Sequence, residues 1–423
     1  MRITTHLRRY AADRRGGAAL TLALLTPFII GGLAFGAELG LWEQSRRKLQ
    51  DAVDLAAHAA GTQLRSGIKN EASLKAVARP IAELGGYKGD ETGVRLSTPP
   101  DAGAYAGDPS AVRIALDNSL PRYFTGIFTK TPVAFTVAAT ALVSAGRPAC
   151  ILSLHATASG AIATGGSASV QLTGCDIAAN SVSNSAVLTT GGAVEVETGC
   201  VTAVGGVVDP HNAITYTDCP GQITNAPITA DPYADVPEPS VSGCQNANAF
   251  TNAGNPSRPA PGCYNNVGAI SRDIELEPGL YILNNSDLRL NGSRKITGTG
   301  VTIFMAGNSS VKVNGNATIN IVAPTKDDAI PCTAYCGVAL FGDRDSAGDF
   351  DLTGNSGVSI VGAIYSPNSD ITFTGNNSPF TAGQCTQVIG STVTFWGNSD
   401  FDTDCSASGT RDMTTGQTVK LVE

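Results

Sequence analysis

Ten cysteines give this 423-residue chain its clearest capacity for chemistry, and all of them lie at or after Cys150. A thiol ligates a metal, attacks as a thiolate or closes a disulfide, and spacing helps to separate these roles. No C-x-x-C pair occurs; Cys332 and Cys336 are spaced C-x-x-x-C, and only His155 and His211 fall in the same part of the chain. That donor set argues against a zinc site. An even number of cysteines confined to one part of the chain fits disulfides formed in an oxidising compartment. Cys244–Cys263, Cys332–Cys336 and Cys385–Cys405 fit local bridges, although spacing does not fix connectivity.

Carboxylates are the second chemical candidates. The stretch GDRDSAGDFD offers Asp343, Asp345, Asp349 and Asp351, and SDFDTD offers Asp400, Asp402 and Asp404. Alternating aspartates present oxygens on one side of a strand or loop, as calcium requires. Neither cluster completes an EF-hand loop or a GGxGxD repeat. Glycoside hydrolysis needs two carboxylates facing one cleft about 5–9.5 Å apart, and no aromatic-rich sugar platform stands out. No Ser-His-Asp set, P-loop or dinucleotide-binding glycine fingerprint is persuasive. The expectation is solvated turn and strand-edge aspartates, with no catalytic, cofactor-binding or metal-ligating residue assigned and no enzymatic activity. A β-solenoid enzyme or binding module acting on envelope polysaccharide is the alternative.

The elements that carry these residues announce themselves as a repeat. An apolar residue, any residue, Gly and Asn recur as VNGN (313–316), LTGN (352–355), FTGN (373–376) and FWGN (395–398), with LNGS (290–293) a weaker copy. The glycines fall at 292, 315, 354, 375 and 397, and the one long step contains APTKDDAIPCTAYCG, which reads as an inserted loop. Repeats of about 20 residues with short alternating strands predict a parallel β-helix, a β-solenoid-like domain. Gly supplies positive φ at the corner, Asn tolerates it, and stacked Asn side chains would form a hydrogen-bonded ladder.

LTGC (172–175) and TGC (198–200) place cysteine where later copies have Asn, and Cys150, Cys175 and Cys200 are spaced by 25. Coils about 4.8 Å apart put two of these three within disulfide range, while the third needs another partner. Val170 and Leu172 run one residue out of phase with Val194 and Val196, which predicts a bend or bulge. PGCY (261–264) and PGLY (278–281) form a further echo, and the proline-rich stretch 231–264 reads as a long ordered loop or crossover.

The other end of the chain is different. Ala18 to Ala37 carries no charge, the length needed to span about 30 Å of hydrocarbon as a helix. Arg8, Arg9, Arg14 and Arg15 precede it, so the positive-inside rule keeps the N-terminus cytoplasmic. A cleaved signal peptide has a shorter apolar core of about 7–15 residues; Ala34-Phe35-Gly36 would serve as its site. The pattern instead continues as helix, with Leu49, Val53, Ala56, Ala60 and Leu64 at three- and four-residue steps. Pro27 kinks such a helix without excluding a membrane role. Glu38 reads either as an interfacial residue or as an intramembrane carboxylate pairing with a partner helix.

Arg-Gly-Gly, the run with LALLTP, and ELGLWEQSRRKLQDAVDLAAHAA together resemble the N-terminal region of TadE/TadG-like proteins of the Flp (tight-adherence) pilus system. The most specific part is Leu49, Gln50, Ala52, Asp54, Ala56, Ala57, Ala59 and Ala60. The resemblance covers residues 12–66, and residues 67–146 follow the family more loosely. Processed pilins of this kind carry Glu five residues after a Gly cleavage site. Counted from Gly16 or Gly17 that position is Thr21 or Leu22, so the resemblance is to the unprocessed, anchored TadG type. It implies a bacterial inner-membrane, single-pass protein that works with other pilus-assembly proteins or pilin, with its C-terminal domain periplasmic or surface-exposed.

The charge of -8 is unevenly spread: residues 1–48 carry +5 and the remainder -13. An acidic body argues against nucleic acid as a partner. The membrane, pilus-assembly proteins and a surface or envelope polysaccharide are the partners considered. The expected organisation is a cytoplasmic tail (1–15), a transmembrane anchor helix with an extramembrane continuation (16–66), a small α+β region (67–146) and a disulfide-containing β-solenoid-like domain (147–423).

Overall fold

The computed structural model describes residues 17–90, 92–326, 334–346, 348–353, 358–375, 384–398, 400–404 and 410–422. Two compact units emerge, Met1–Ser144 together with Val419–Glu423, and Ala145–Thr418.

The first unit is organised by one helix, α1, Gly17–Arg65, of 49 residues. Leucine and alanine favour the helix. Pro27 sits inside it without ending it, and the Thr26 hydroxyl donates to the Leu22 carbonyl at 2.6 Å. The N-terminal part of α1 is exposed, with Leu22, Phe28, Ile30 and Leu33 on its surface. Its C-terminal part buries Leu49, Val53, Ala56, Ala60 and Leu64. These are the residues whose helical spacing was legible in the sequence.

Helix α2, Glu71–Leu84, packs on this buried half. The Asn70 side chain caps it by accepting the Ser73 N–H at 3.1 Å, which satisfies one of the free donors of a helix start. At its other end Gly85 lies against Ala52 so closely that a Cβ would stand 2.5 Å from the alanine methyl. Three antiparallel strands follow: β1 (Val94–Ser97), β2 (Ala111–Leu120) and β3 (Val133–Val143). The strand Val419–Leu421 completes this sheet beside β3. Val112, Ile114 and Leu116 alternate inward against Val137, Ala139 and Ala141, the two-residue period of a strand with one buried face.

The second unit is a parallel β-solenoid. Its strands stack in register, so residues one coil apart form columns. One interior column runs Tyr281, Ile303, Leu340, Ile364, Val388, Ile151, Ile177 and Val201. Another runs Leu290, Val313, Leu352, Phe373 and Phe395. The second column consists of the apolar residues that open the five copies of the Gly-Asn motif. All five are buried, and the Phe373 and Phe395 rings stack at 5.1 Å, 6° from parallel. The described corner glycines, Gly292, Gly315, Gly375 and Gly397, take positive φ, including +71° at Gly315 and +80° at Gly397, as the motif required.

Of the motif asparagines expected to form a ladder, Asn355 and Asn376 lie outside the described residues, and a side-chain ladder is seen beside the motif. The Asn314 amide donates to Asn291 at 3.4 Å and Thr353 donates to Asn314 at 3.2 Å, so the bonds run through the residue before the glycine. Asn291 and Asn314 directly follow the strands Asp287–Leu290 and Ser310–Val313, which pair in register one coil apart. Among the described motif asparagines, Asn316 lies in the turn itself and Asn398 accepts from the Ser167 hydroxyl.

The order of coils departs from the order of the sequence. Arg147–Ser153 carries Asp176–Ala179 on one side, and Val201–Ala203 lies beyond that. On its other side lies Thr386–Gly397, the last described coil. The chain therefore enters the solenoid in the middle and builds outward. It then crosses to the opposite end, where Gln245–Asn246 pairs with Gly262–Asn265, and builds back until its last coil meets its first.

The crossover runs along the outside of the stack, tied down from end to end. Asn180 exchanges two hydrogen bonds with Thr229, both 2.9 Å. Tyr365 donates to Asp231 at 2.9 Å, Tyr233 donates to Gln387 at 3.2 Å, and Tyr335 donates to the Pro237 carbonyl at 3.0 Å. Beneath it the outward-facing residues form a second apolar core, in which Tyr233 and Val236 cover Phe304, Phe341, Tyr365, Ile389 and Leu152.

Candidate functional site

Glu38 lies one residue beyond the uncharged run of α1 and is buried. Its two carboxylate oxygens accept the backbone N–H groups of Tyr123 at 2.6 Å and Thr125 at 2.7 Å. A carboxylate is a strong acceptor for free N–H groups at a turn start, and these two belong to the loop joining β2 to β3, where the short 3-10 turn Thr125–Ile127 begins. The Arg122 guanidinium lies over the Trp42 ring, 5.2 Å from its centroid, and Arg122 also donates to the Thr131 carbonyl at 2.8 Å. The loop is thus pinned to α1 at the level where its charge-free stretch ends. To both sequence readings of Glu38 the structure adds an intrachain role: each oxygen is engaged by a backbone N–H of this chain.

The described aspartates of GDRDSAGDFD do not converge on a shared site. Asp343 accepts the Gly307 and Asp345 N–H groups, both at 2.8 Å, which makes it a turn-forming residue. Asp351 is partly buried, and desolvation followed by the nearby Asp349 charge raises its pKa. The side chains of Asp400, Asp402 and Asp404 lie outside the described residues. Among the described residues no group of three or more His, Cys, Asp or Glu side chains is arranged to hold a metal ion.

The residue of GDRDSAGDFD that does most is Arg344, which sequence reasoning passed over. It donates to the Tyr233 carbonyl at 2.7 Å, to the Val236 carbonyl at 2.9 Å and to the Tyr365 hydroxyl at 3.1 Å, so it clamps the crossover to the stack. Burial raises the Asp231 carboxyl above its ordinary range and pushes the Tyr233 phenol up to about 12. Tyr233 therefore stays protonated and donates to Gln387 while accepting the Arg411 N–H.

The cysteines settle as disulfides. Cys150 bridges Cys175, Cys200 bridges Cys219, and Cys244 bridges Cys263. The first staples neighbouring coils and leaves Cys200 to another partner, one of the arrangements its spacing allowed. The third is the local bridge expected. Cys336 and Cys385 are also disulfide-bonded; Cys332 and Cys405, their expected partners, lie outside the described residues. The bulge expected from the phase of Val170 and Val194 is absent where those strands meet: Val170 pairs with Val196 in unbroken register, and the register shift of this region falls instead between Ala149 and Ile151.

Helix α1 is long and apolar enough to cross a membrane, and none of its apolar window is buried in the protein. No curated protein and no solved structure matches the chain. A family model described as Putative Flp pilus-assembly TadE/G-like matches residues 16–63, the stretch that forms α1.

Proposed function

We propose that this chain is a membrane-anchored component of Flp pilus assembly whose exported β-rich domain makes structural or adhesive contacts. The observation that carries this reading is the coincidence of the TadE/G-like match, residues 16–63, with a helix whose apolar stretch has no protein packed around it. In this reading α1 crosses the bacterial inner membrane once with its N-terminus cytoplasmic, and it is retained rather than cleaved. Disulfides throughout the solenoid fit an oxidising compartment beyond that membrane. The solenoid acts as a rigid, non-catalytic surface toward other pilus-assembly proteins, pilin or an envelope polysaccharide. A clean deletion strain tests this: it is expected to lack Flp pili and to attach poorly, with both restored by the full chain. Normal pili and normal attachment in that strain would sink the proposal.

A further inference from the structure

The loop that Glu38 pins to α1 exposes an unusual set of side chains. Tyr123 is 67% exposed, Phe124 49%, Ile127 86% and Phe128 88%. Loop tips in water favour small polar residues, and four large apolar ones within six positions are costly unless something covers them. The loop, residues 121–132, also carries Arg122 and Lys130, and no acidic residue occurs between Asp117 and Asp176.

Its position says what the cover is. The two hydrogen bonds to Glu38 hold Tyr123 and Thr125 level with the first residue after the uncharged run Ala18–Ala37. A helix crossing the hydrocarbon with that run places Glu38 where the headgroup layer begins, a layer about 5–7 Å deep on each side. Ile127 and Phe128 follow Thr125 by two and three residues. At about 2 Å rise per residue in a 3-10 turn they remain within about 6 Å of that level along the chain. Aromatic rings with basic neighbours are the composition of a membrane–water interface, and Trp42 beneath Arg122 belongs to the same belt.

We propose that residues 121–132 form a second membrane contact: a lipid surface covers this loop, with Ile127 and Phe128 in the acyl boundary and Arg122 and Lys130 among anionic headgroups. The inference rests on the reading of α1 as a membrane anchor. It gives the anchor a lateral foot, so that the small α+β unit sits on the bilayer at a fixed tilt.

The test uses the full chain in vesicles of phosphatidylcholine and phosphatidylglycerol with bromine at defined acyl depths. Trp42→Phe, which keeps an aromatic face under Arg122, and Trp396→Phe give a tryptophan-free background. Into it go Ile29→Trp, reporting the anchor, or Phe128→Trp, reporting the loop. The expected result is quenching of Ile29→Trp by deep bromines and of Phe128→Trp by shallow ones, with the latter weakened on adding Ile127→Ser. Quenching of Ile29→Trp with none of Phe128→Trp at any depth would overturn the loop proposal and leave the anchor standing; the loop would then meet water or a protein partner. An unquenched Ile29→Trp would overturn the anchor reading and the loop proposal with it.

Discussion

Glu38 shows how a single carboxylate organises the end of the anchor. Replacing it with Gln keeps the size but removes the charge that strengthens two backbone hydrogen bonds. Glu38→Gln is expected to speed hydrogen exchange of the Tyr123 and Thr125 amides by about tenfold or more, leaving the β2 and β3 amides unchanged. Exchange that is equal in the two proteins would mean that these bonds hold nothing in place. The sequence showed Glu38 as the first charge after the apolar run, which was enough to single it out. Its partners were illegible because they are backbone N–H groups 85 and 87 positions away, and a backbone donor leaves no mark in residue type. Arg344 escaped notice for the same reason, since it binds mainly carbonyls of the crossover.

At the scale of the element, the Gly-Asn motif identified both the coil and its inward residues. Leu290, Val313, Leu352, Phe373 and Phe395 form one buried column because strands stacked about 4.8 Å apart leave room for one side chain per coil. Phe373→Ala opens a cavity in the middle of that column and is expected to cost about 3–5 kcal/mol of solenoid stability in denaturant unfolding. A loss under about 1 kcal/mol would show that the column repacks freely. Opening the Cys150–Cys175 bridge by replacing both residues with Ala releases a separation of 25 residues and is expected to cost about 3 kcal/mol. Of the cysteine spacings, the 25-residue period showed that two of Cys150, Cys175 and Cys200 could bridge without saying which, while the choice of Cys219 for Cys200 depends on a return of the chain that no period announces. PGCY and PGLY misled in a related way: they lie 17 residues apart, yet Cys263 pairs with Ile282, a step of 19. A shift of two preserves which side chains face inward, so the pattern survives the offset.

At the scale of the whole molecule, the repeat announced a solenoid but its order of stacking was hidden. Thr386–Gly397 lies on Arg147–Ser153, and both strands are apolar segments that would stack equally well on many others. What selects the arrangement is long-range: the crossover that carries Thr229, Asp231, Tyr233 and Val236, the Arg344 clamp and the pairing of Thr414–Thr415 with Arg147–Pro148. Because the first and last coils share one core, residues 145–418 produced alone in an oxidising compartment are expected to fold and unfold in a single cooperative transition. Two separate transitions would show that the halves are independent. The chain enters and leaves this unit side by side at Arg147 and Thr415, as an inserted domain does. The central claim, a permanent tether holding this unit outside the cytoplasm, is tested most directly by fractionating native cells and sequencing the N-terminus of the protein. The account predicts an inner-membrane protein whose N-terminus lies ahead of Gly17, with α1 intact. A soluble protein beginning at Ala37, after Ala34-Phe35-Gly36, would contradict it.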